Sequence, residues 1–261
     1  MSETKAIETR YDGSVATLWL NRPERHNAFD DQMVISLSEA VEKLNADDSI
    51  RVVILAGRGA SFCAGADLTW MKRMVAFAPE ENLADAQRLA KLMYALNTLS
   101  KPLVGRVHGP AFGGGVGLTA CCDIVFASHG ASFCLSEVKL GLIPSVIGPY
   151  VAAKIGVSAA RRYFLSAETF SAEQALALGL VHEVLPQEQL DSQLFSLADR
   201  LVRNGPQALA AAKQLIRDIG GLPISQALID DTAQRIAKLR SSPEGQEGLT
   251  AFLEKRPPNW V

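Results

Sequence analysis

Two short stretches place small residues just before a helical pattern. Cys63-Ala64-Gly65-Ala66-Asp67 comes after the apolar run RVVILAG, and Gly113-Gly114-Gly115 comes after KPLVGRVHG. Glycine at such a place lets a ligand approach the backbone closely. The first N–H groups of a helix lack internal partners, and the helix dipole favours negative charge beside them. Two such donors converging on one oxygen make an oxyanion hole, and losing one donor typically costs about 2.7–4 kcal/mol of transition-state stabilisation. The same glycines also suit tight turns or close packing of a helix on a sheet. No phosphate loop of the form GxxxxGKS or GxxxxGKT occurs, and GGGVG lacks the spacing and downstream acid of a dinucleotide fingerprint. A further glycine, Gly117, falls inside the expected helix, where it costs roughly 1 kcal/mol relative to alanine.

The elements that must hold these loops alternate in type. Strands are expected at 14–21, 51–57, 101–109, 122–128 and 131–135, the last two around a turn. Helical periodicity covers 30–48, 68–77 and 81–100. Asp67 is placed to cap the second of these helices. After about residue 145 the pattern is mostly helical, with one extended stretch at 180–186 and helices near 187–204, 206–219, 224–240 and 243–254. The fold class is α/β with parallel pairing, because helices separate the strands. The expected division is a core over 1–195 and a helical C-terminal region over 196–261.

Composition narrows the function classes. Of 261 residues, 48% are hydrophobic and 21% charged, as in a globular chain. No run of eighteen apolar residues occurs, so no membrane span is expected. A net charge of −2 argues against nucleic acid as the main partner. Cys63, Cys121, Cys122 and Cys134 lack zinc spacing and do not suggest a disulfide framework. The polar, acid-containing start MSETKAIETRYDG resembles neither a signal nor a transit peptide, and a cytoplasmic setting is expected.

LNRPERHNAF, SFCAGADL, AFGGGVGLTACCDI and SEVKLGLIP occur in the order and at the spacings of the crotonase (enoyl-CoA hydratase/isomerase) superfamily. The resemblance extends from about Ala16 to the C-terminal AFLEKRPPNW. Within the family the wording is most similar to bacterial 3-methylglutaconyl-CoA hydratases of leucine breakdown. The resemblance implies a spiral of ββα units with a helical trimerisation region, a homotrimer or homohexamer, and an acyl-CoA thioester as substrate. It implies no metal and no separate cofactor, since CoA belongs to the substrate.

Carried over residue by residue, the resemblance makes the N–H groups of Ala66 and Gly114 the donors to the thioester oxygen. It makes Glu137 the catalytic acid and base. Two-carboxylate hydratases carry a second glutamate at the position of Gly117, so this chain departs from that pattern. A lone carboxylate still serves a Δ3,Δ2-enoyl-CoA isomerase, or the hydratase of another branched enoyl-CoA. Cys63, Ala64 and Ala66 match backbone contacts to CoA. Arg25 and Lys255 match basic positions near its phosphates, the latter often supplied by a neighbouring subunit. Lys72, Arg73 and Lys139 are candidates for a distal substrate carboxylate, and Trp70 and Met71 for the acyl pocket or plain core. His26, His108 and the Cys121-Cys122 pair read as structural.

Overall fold

Two antiparallel strands open the computed structural model, which describes residues 5–261; the first four residues of the polar start lie outside it. β1 (Ile7–Asp12) and β2 (Val15–Leu20) turn about Gly13, whose φ of +54° suits glycine. α1 (Asp31–Ala46) leads to β3 (Val52–Gly57), and α2 (Leu68–Met74) and α3 (Pro79–Thr98) lead to β4 (Leu103–Val107). The short β5 (Ala111–Phe112) runs into α4 (Gly114–Cys121). Next come β6 (Ile124–Ser128), β7 (Ser132–Cys134), a 3-10 turn at Glu137–Leu140 and α5 (Gly148–Ser166). β8 (Phe170–Ser171), α6 (Ala172–Ala177) and β9 (Glu183–Leu185) precede four helices: α7 (Gln187–Val202), α8 (Pro206–Ile219), α9 (Gln226–Arg240) and α10 (Pro243–Leu253).

The main sheet has the order β1-β2-β3-β4-β6-β9, parallel throughout except for β1. β3, VVILAG, is buried along its whole length, as a central parallel strand covered on both faces must be. Its side chains alternate between two cores: Val53 and Leu55 join the large one with α1, α3, α4 and α5, while Val52 and Ile54 join a smaller one with α7. β1 was not expected as a strand. It is an edge strand, of which only Ile7 is buried, so its sequence lacks an apolar signature. β6 and β7 are not partners around their turn. β7 leaves the main sheet and pairs with β5 and β8 in a second, three-stranded sheet.

α1 starts at Asp30, whose side chain accepts from the Met33 N–H at 2.8 Å, and it buries Met33, Val34, Leu37, Val41 and Leu44 against the sheet. Gly156, at φ +74°, interrupts α5 with a kink. Residue 195 falls inside α7, whose Leu190, Leu194 and Ala198 all face the smaller core. The expected division between core and C-terminal region therefore lies within one continuously packed helix.

Candidate active site

β3 and β4 are neighbouring parallel strands, so the loops after them emerge at the same end of the sheet. Ligands of open α/β sheets bind outside such carboxyl ends. The loop after β3 carries residues 61–67, and the loop after β4 carries 109–115. The two are bonded to each other: the Phe112 N–H donates to the Cys63 carbonyl at 2.9 Å, and the Cys63 N–H donates to the Pro110 carbonyl at 3.1 Å. Glycine is needed where they cross. Gly65 has φ +90°, and a Cβ there would lie 3.0 Å from the Phe112 carbonyl oxygen.

A third segment fixes the direction of Ala66. The Phe29 N–H donates to the Gly65 carbonyl at 2.6 Å, and the Asp67 N–H donates to the Phe29 carbonyl at 2.7 Å. This parallel bridge uses the residues on either side of Ala66, so Ala66 turns its own N–H away from Phe29. Gly114 is the first residue of α4. Among the described residues, neither the Ala66 nor the Gly114 N–H donates to a carbonyl or side chain. The two expected donors are therefore free on adjoining loops.

Asp67 caps α2, accepting from the Thr69 N–H at 2.7 Å. Arg22 bridges Asp67 at 3.2 Å and Asp30 at 2.8 Å, and donates to the Ala28 carbonyl at 2.9 Å. Burial opposes the charge on Asp67, but the Thr69 and Trp70 N–H groups and Arg22 outweigh it and hold the carboxyl below its usual range. Asp67→Ala should lower unfolding stability by about 1–3 kcal/mol at neutral pH, through loss of the cap and of a charged hydrogen bond. Because the folded-state pKa is depressed, the difference from wild type should shrink as pH falls through that pKa. Urea unfolding at pH 7 and pH 3 checks both the size and the sign.

Glu137 arrives from the second sheet. β5 pairs with β7, and the Gly113 N–H donates to the Cys134 carbonyl at 2.8 Å. Three residues later Glu137 comes back over Gly113, where a Cβ would lie 3.2 Å from its Oε1. Gly113 has φ +49°, a second reason for glycine. Glu137 Oε2 is buried and has no hydrogen-bond partner among the described residues. Burial raises the Glu137 pKa above the ordinary 4.5. A carboxyl group with a raised pKa thus stands over Gly113 at the start of α4, beside the free Gly114 N–H, where it can serve as acid and base.

The remaining candidates separate. Cys63 is fully buried, with its N–H and carbonyl both bonded inside the protein, so the expected backbone contact from Cys63 to CoA has no free donor and no exposed surface. Burial pushes its thiol up to about 12, and all four cysteines are buried and free of disulfides. The Ala64 N–H is taken by the His26 carbonyl at 2.9 Å, while its own carbonyl accepts no bond among the described residues. Arg25 is exposed on the loop that carries His26. Lys255 lies beyond α10, which packs on α8 and α9.

His26 Nδ1 pairs with Ser61 Oγ at 3.0 Å, and His108 Nε2 with the Gly59 carbonyl at 2.7 Å, both holding loops as expected. Trp70 is buried in the large core and Met71 is half-buried. Arg73 is tied to Asp31 at 2.6 Å, whereas Lys72 and Lys139 are exposed and have no ion-pair partner among the described residues.

Two residues escaped the sequence reading. Asn27 is fully buried; its Nδ2 donates to the carbonyls of Arg58 and Ser61 at 2.8 Å each, and its Oδ1 accepts from the Arg22 N–H at 2.9 Å. It is the polar centre that ties the loop after β2 to the loop after β3, and in the sequence it shows only as an asparagine between two loop residues. Ile147 reads in the sequence as one apolar residue of a helical stretch. It fills the place beside Gly117, where a Cβ would overlap its Cγ2 methyl and lie 2.8 Å from its Cβ.

Comparison with known proteins supplies the context. The pattern of the enoyl-CoA hydratase/isomerase family matches residues 10–261. The crystal structure of an enoyl-CoA hydratase from Shewanella pealeana superposes with a TM-score of 0.95 at 44% identity, covering 98% of this chain and 96% of that one. The 2,3-dehydroadipyl-CoA hydratase of Escherichia coli is 34% identical over 94% of each chain. The 1,2-epoxyphenylacetyl-CoA isomerase of the same organism is 34% identical over 98% of each.

Proposed function

The chain belongs to the enoyl-CoA hydratase/isomerase family, and on that premise we propose that it adds water reversibly to 3-methylglutaconyl-CoA, giving 3-hydroxy-3-methylglutaryl-CoA. Its fold is that of the crotonase superfamily, and its substrate class is the acyl-CoA thioester. Glu137 takes a proton from water as the hydroxide oxygen adds to C3. The C2–C3 π electrons move toward the thioester, whose oxygen becomes an enolate anion. The N–H groups of Ala66 and Gly114 stabilise that anion more than the neutral carbonyl, which lowers the barrier. Glu137 then delivers the same proton to C2, so the atoms of one water are accounted for.

The observation that carries this reading is the isolation of Glu137. Its carboxyl is half-buried over Gly113, and the neighbouring place at Gly117 is closed by Ile147. With no second protein carboxylate there, a carboxylate on the substrate itself takes over the task of holding the water. A 3-methylglutaconyl group carries one, and the wording GGGVGLTACCDI and LSEVKLGLIP supports that acyl group. A relative named for 2,3-dehydroadipyl-CoA has a substrate of comparable charge. Lys72 and Lys139 are the cations free to meet it. The CoA moiety is assigned to the Ala64 and Ala66 backbone and to Arg25. Lys255 then comes from a second copy in a homotrimer or homohexamer. Exposed Ile216, Ile224, Ile236 and Phe252 on and beside α8, α9 and α10 support that assembly.

The same isolation favours a second reading, a Δ3,Δ2-enoyl-CoA isomerase, since moving a double bond needs one shuttling base and no water. An assay of wild-type enzyme with 3-hydroxy-3-methylglutaryl-CoA, crotonyl-CoA and a 3-enoyl-CoA separates the two. Dehydration of the first should exceed action on the others by at least about tenfold, well below the ceiling of discrimination open to a site built for a polar group. Preferred conversion of the 3-enoyl-CoA overturns the hydratase reading in favour of the isomerase.

A further inference from the structure

Glu137 and Ile147 belong to one returning segment, and each stands over a glycine at the start of α4, one its N-cap and one inside it. Glu137 covers Gly113. Ten residues on, Ile147 covers Gly117, with Met93 Sδ 3.5 Å from where a Cβ would be. The Gly117 N–H donates to the Gly113 carbonyl at 3.2 Å, so Gly113, the N-cap of α4, lies one turn before Gly117. Over this turn a carboxylate is followed by hydrocarbon. Glycine is a poor helix former, and its presence at 117 is explained by the branched carbon of Ile147, which cannot swing aside as the end of a long chain can.

We propose that Ile147 is a specificity-determining residue: by filling the place beside Gly117 it excludes a second acid or a protein-held water, and so restricts the enzyme to substrates that Glu137 serves alone. This rests on the role given to Glu137 above. Ile147 precedes α5 as its N-cap residue with a buried side chain, and glycine is tolerated at an N-cap. Alanine at 147 would not open the place, because its Cβ would remain 2.8 Å from a Cβ at 117.

The test compares wild type, Ile147→Val, Ile147→Gly, Gly117→Glu and Gly117→Glu/Ile147→Gly, each checked for folding by circular dichroism. Substrates are crotonyl-CoA and 3-hydroxy-3-methylglutaryl-CoA, with kcat and KM measured separately. Gly117→Glu alone should lose folded protein or activity. The double variant should hydrate crotonyl-CoA with kcat raised about a hundredfold over wild type, the low end of what a positioned acid–base group supplies, with KM little changed. Ile147→Val retains the methyl over Gly117 and should keep the wild-type ratio of the two substrates. Ile147→Gly should shift that ratio toward crotonyl-CoA even if the double variant does not fold. An unmoved ratio in folded Ile147→Gly, or an equal gain from Gly117→Glu alone, overturns the proposal. A Glu137→Gln control separates the two levels. Turnover that survives it removes the underlying reading, whereas turnover lost with it and an unmoved ratio removes only the role of Ile147.

Discussion

Glu137→Gln should lower kcat by about a hundredfold to ten-thousandfold, the usual contribution of a positioned acid–base group, while KM stays near wild type. Glutamine keeps the shape and polarity of the side chain but cannot take a proton from water or carry it to C2. In wild type, kcat/KM should fall on the acid side with an apparent pKa above the ordinary 4.5, because burial raises it and the base form is the active one. The same burial has an opposite consequence for stability. A carboxyl whose folded pKa is raised binds its proton more tightly in the folded state, so its charged form weakens the fold at higher pH. That cost is complete above the folded pKa and absent below the unfolded carboxyl value of about 4.3. Glu137→Gln should therefore melt at a higher temperature than wild type at pH 7, and the gain should vanish at pH 3. A variant that keeps full turnover, or melts lower at pH 7, removes Glu137 from this role.

Gly114→Ala should lower kcat and kcat/KM together by about a hundredfold to a thousandfold, as loss of one oxyanion donor does. An added Cβ would lie 2.7 Å from the Phe29 ring, which is almost completely buried and has nowhere to go. Phe29 is also the residue whose backbone bonds orient Ala66. The displaced methyl therefore disturbs both donors at once, one directly and one through the bridge to Gly65 and Asp67. Overpacking adds a stability loss of about 1–3 kcal/mol. Steady-state kinetics on protein shown to be folded by circular dichroism check the catalytic part. Unchanged kcat would show that the ring yields and that the Gly114 N–H does not stabilise the transition state.

The strand–helix alternation was legible because buried strands and amphipathic helices have different periods. VVILAG could only be a covered strand, and its alternation between two cores follows from the pleat. The edge strand IETRYD was not legible, since it buries one residue and its pairing comes from β2 rather than from its own composition. The split of β6 and β7 into different sheets was equally hidden. Local sequence shows that a segment is extended, but not which neighbour it bonds.

The candidate site divides along the same line. Small residues before helix starts, and family motifs in a fixed order, marked Ala66, Gly114 and Glu137 from the sequence. The buried contacts of Asn27, the internal commitment of Cys63 and the pressure of Ile147 on Gly117 come from segments far apart in the chain, and periodicity carries no information about them. The sequence by itself determined the residue types, the order of the central strands and long helices, and the absence of a glutamate at 117. Only the tertiary structure decided that the place beside Gly117 is filled rather than open, because close packing depends on which side chains the fold brings within van der Waals reach.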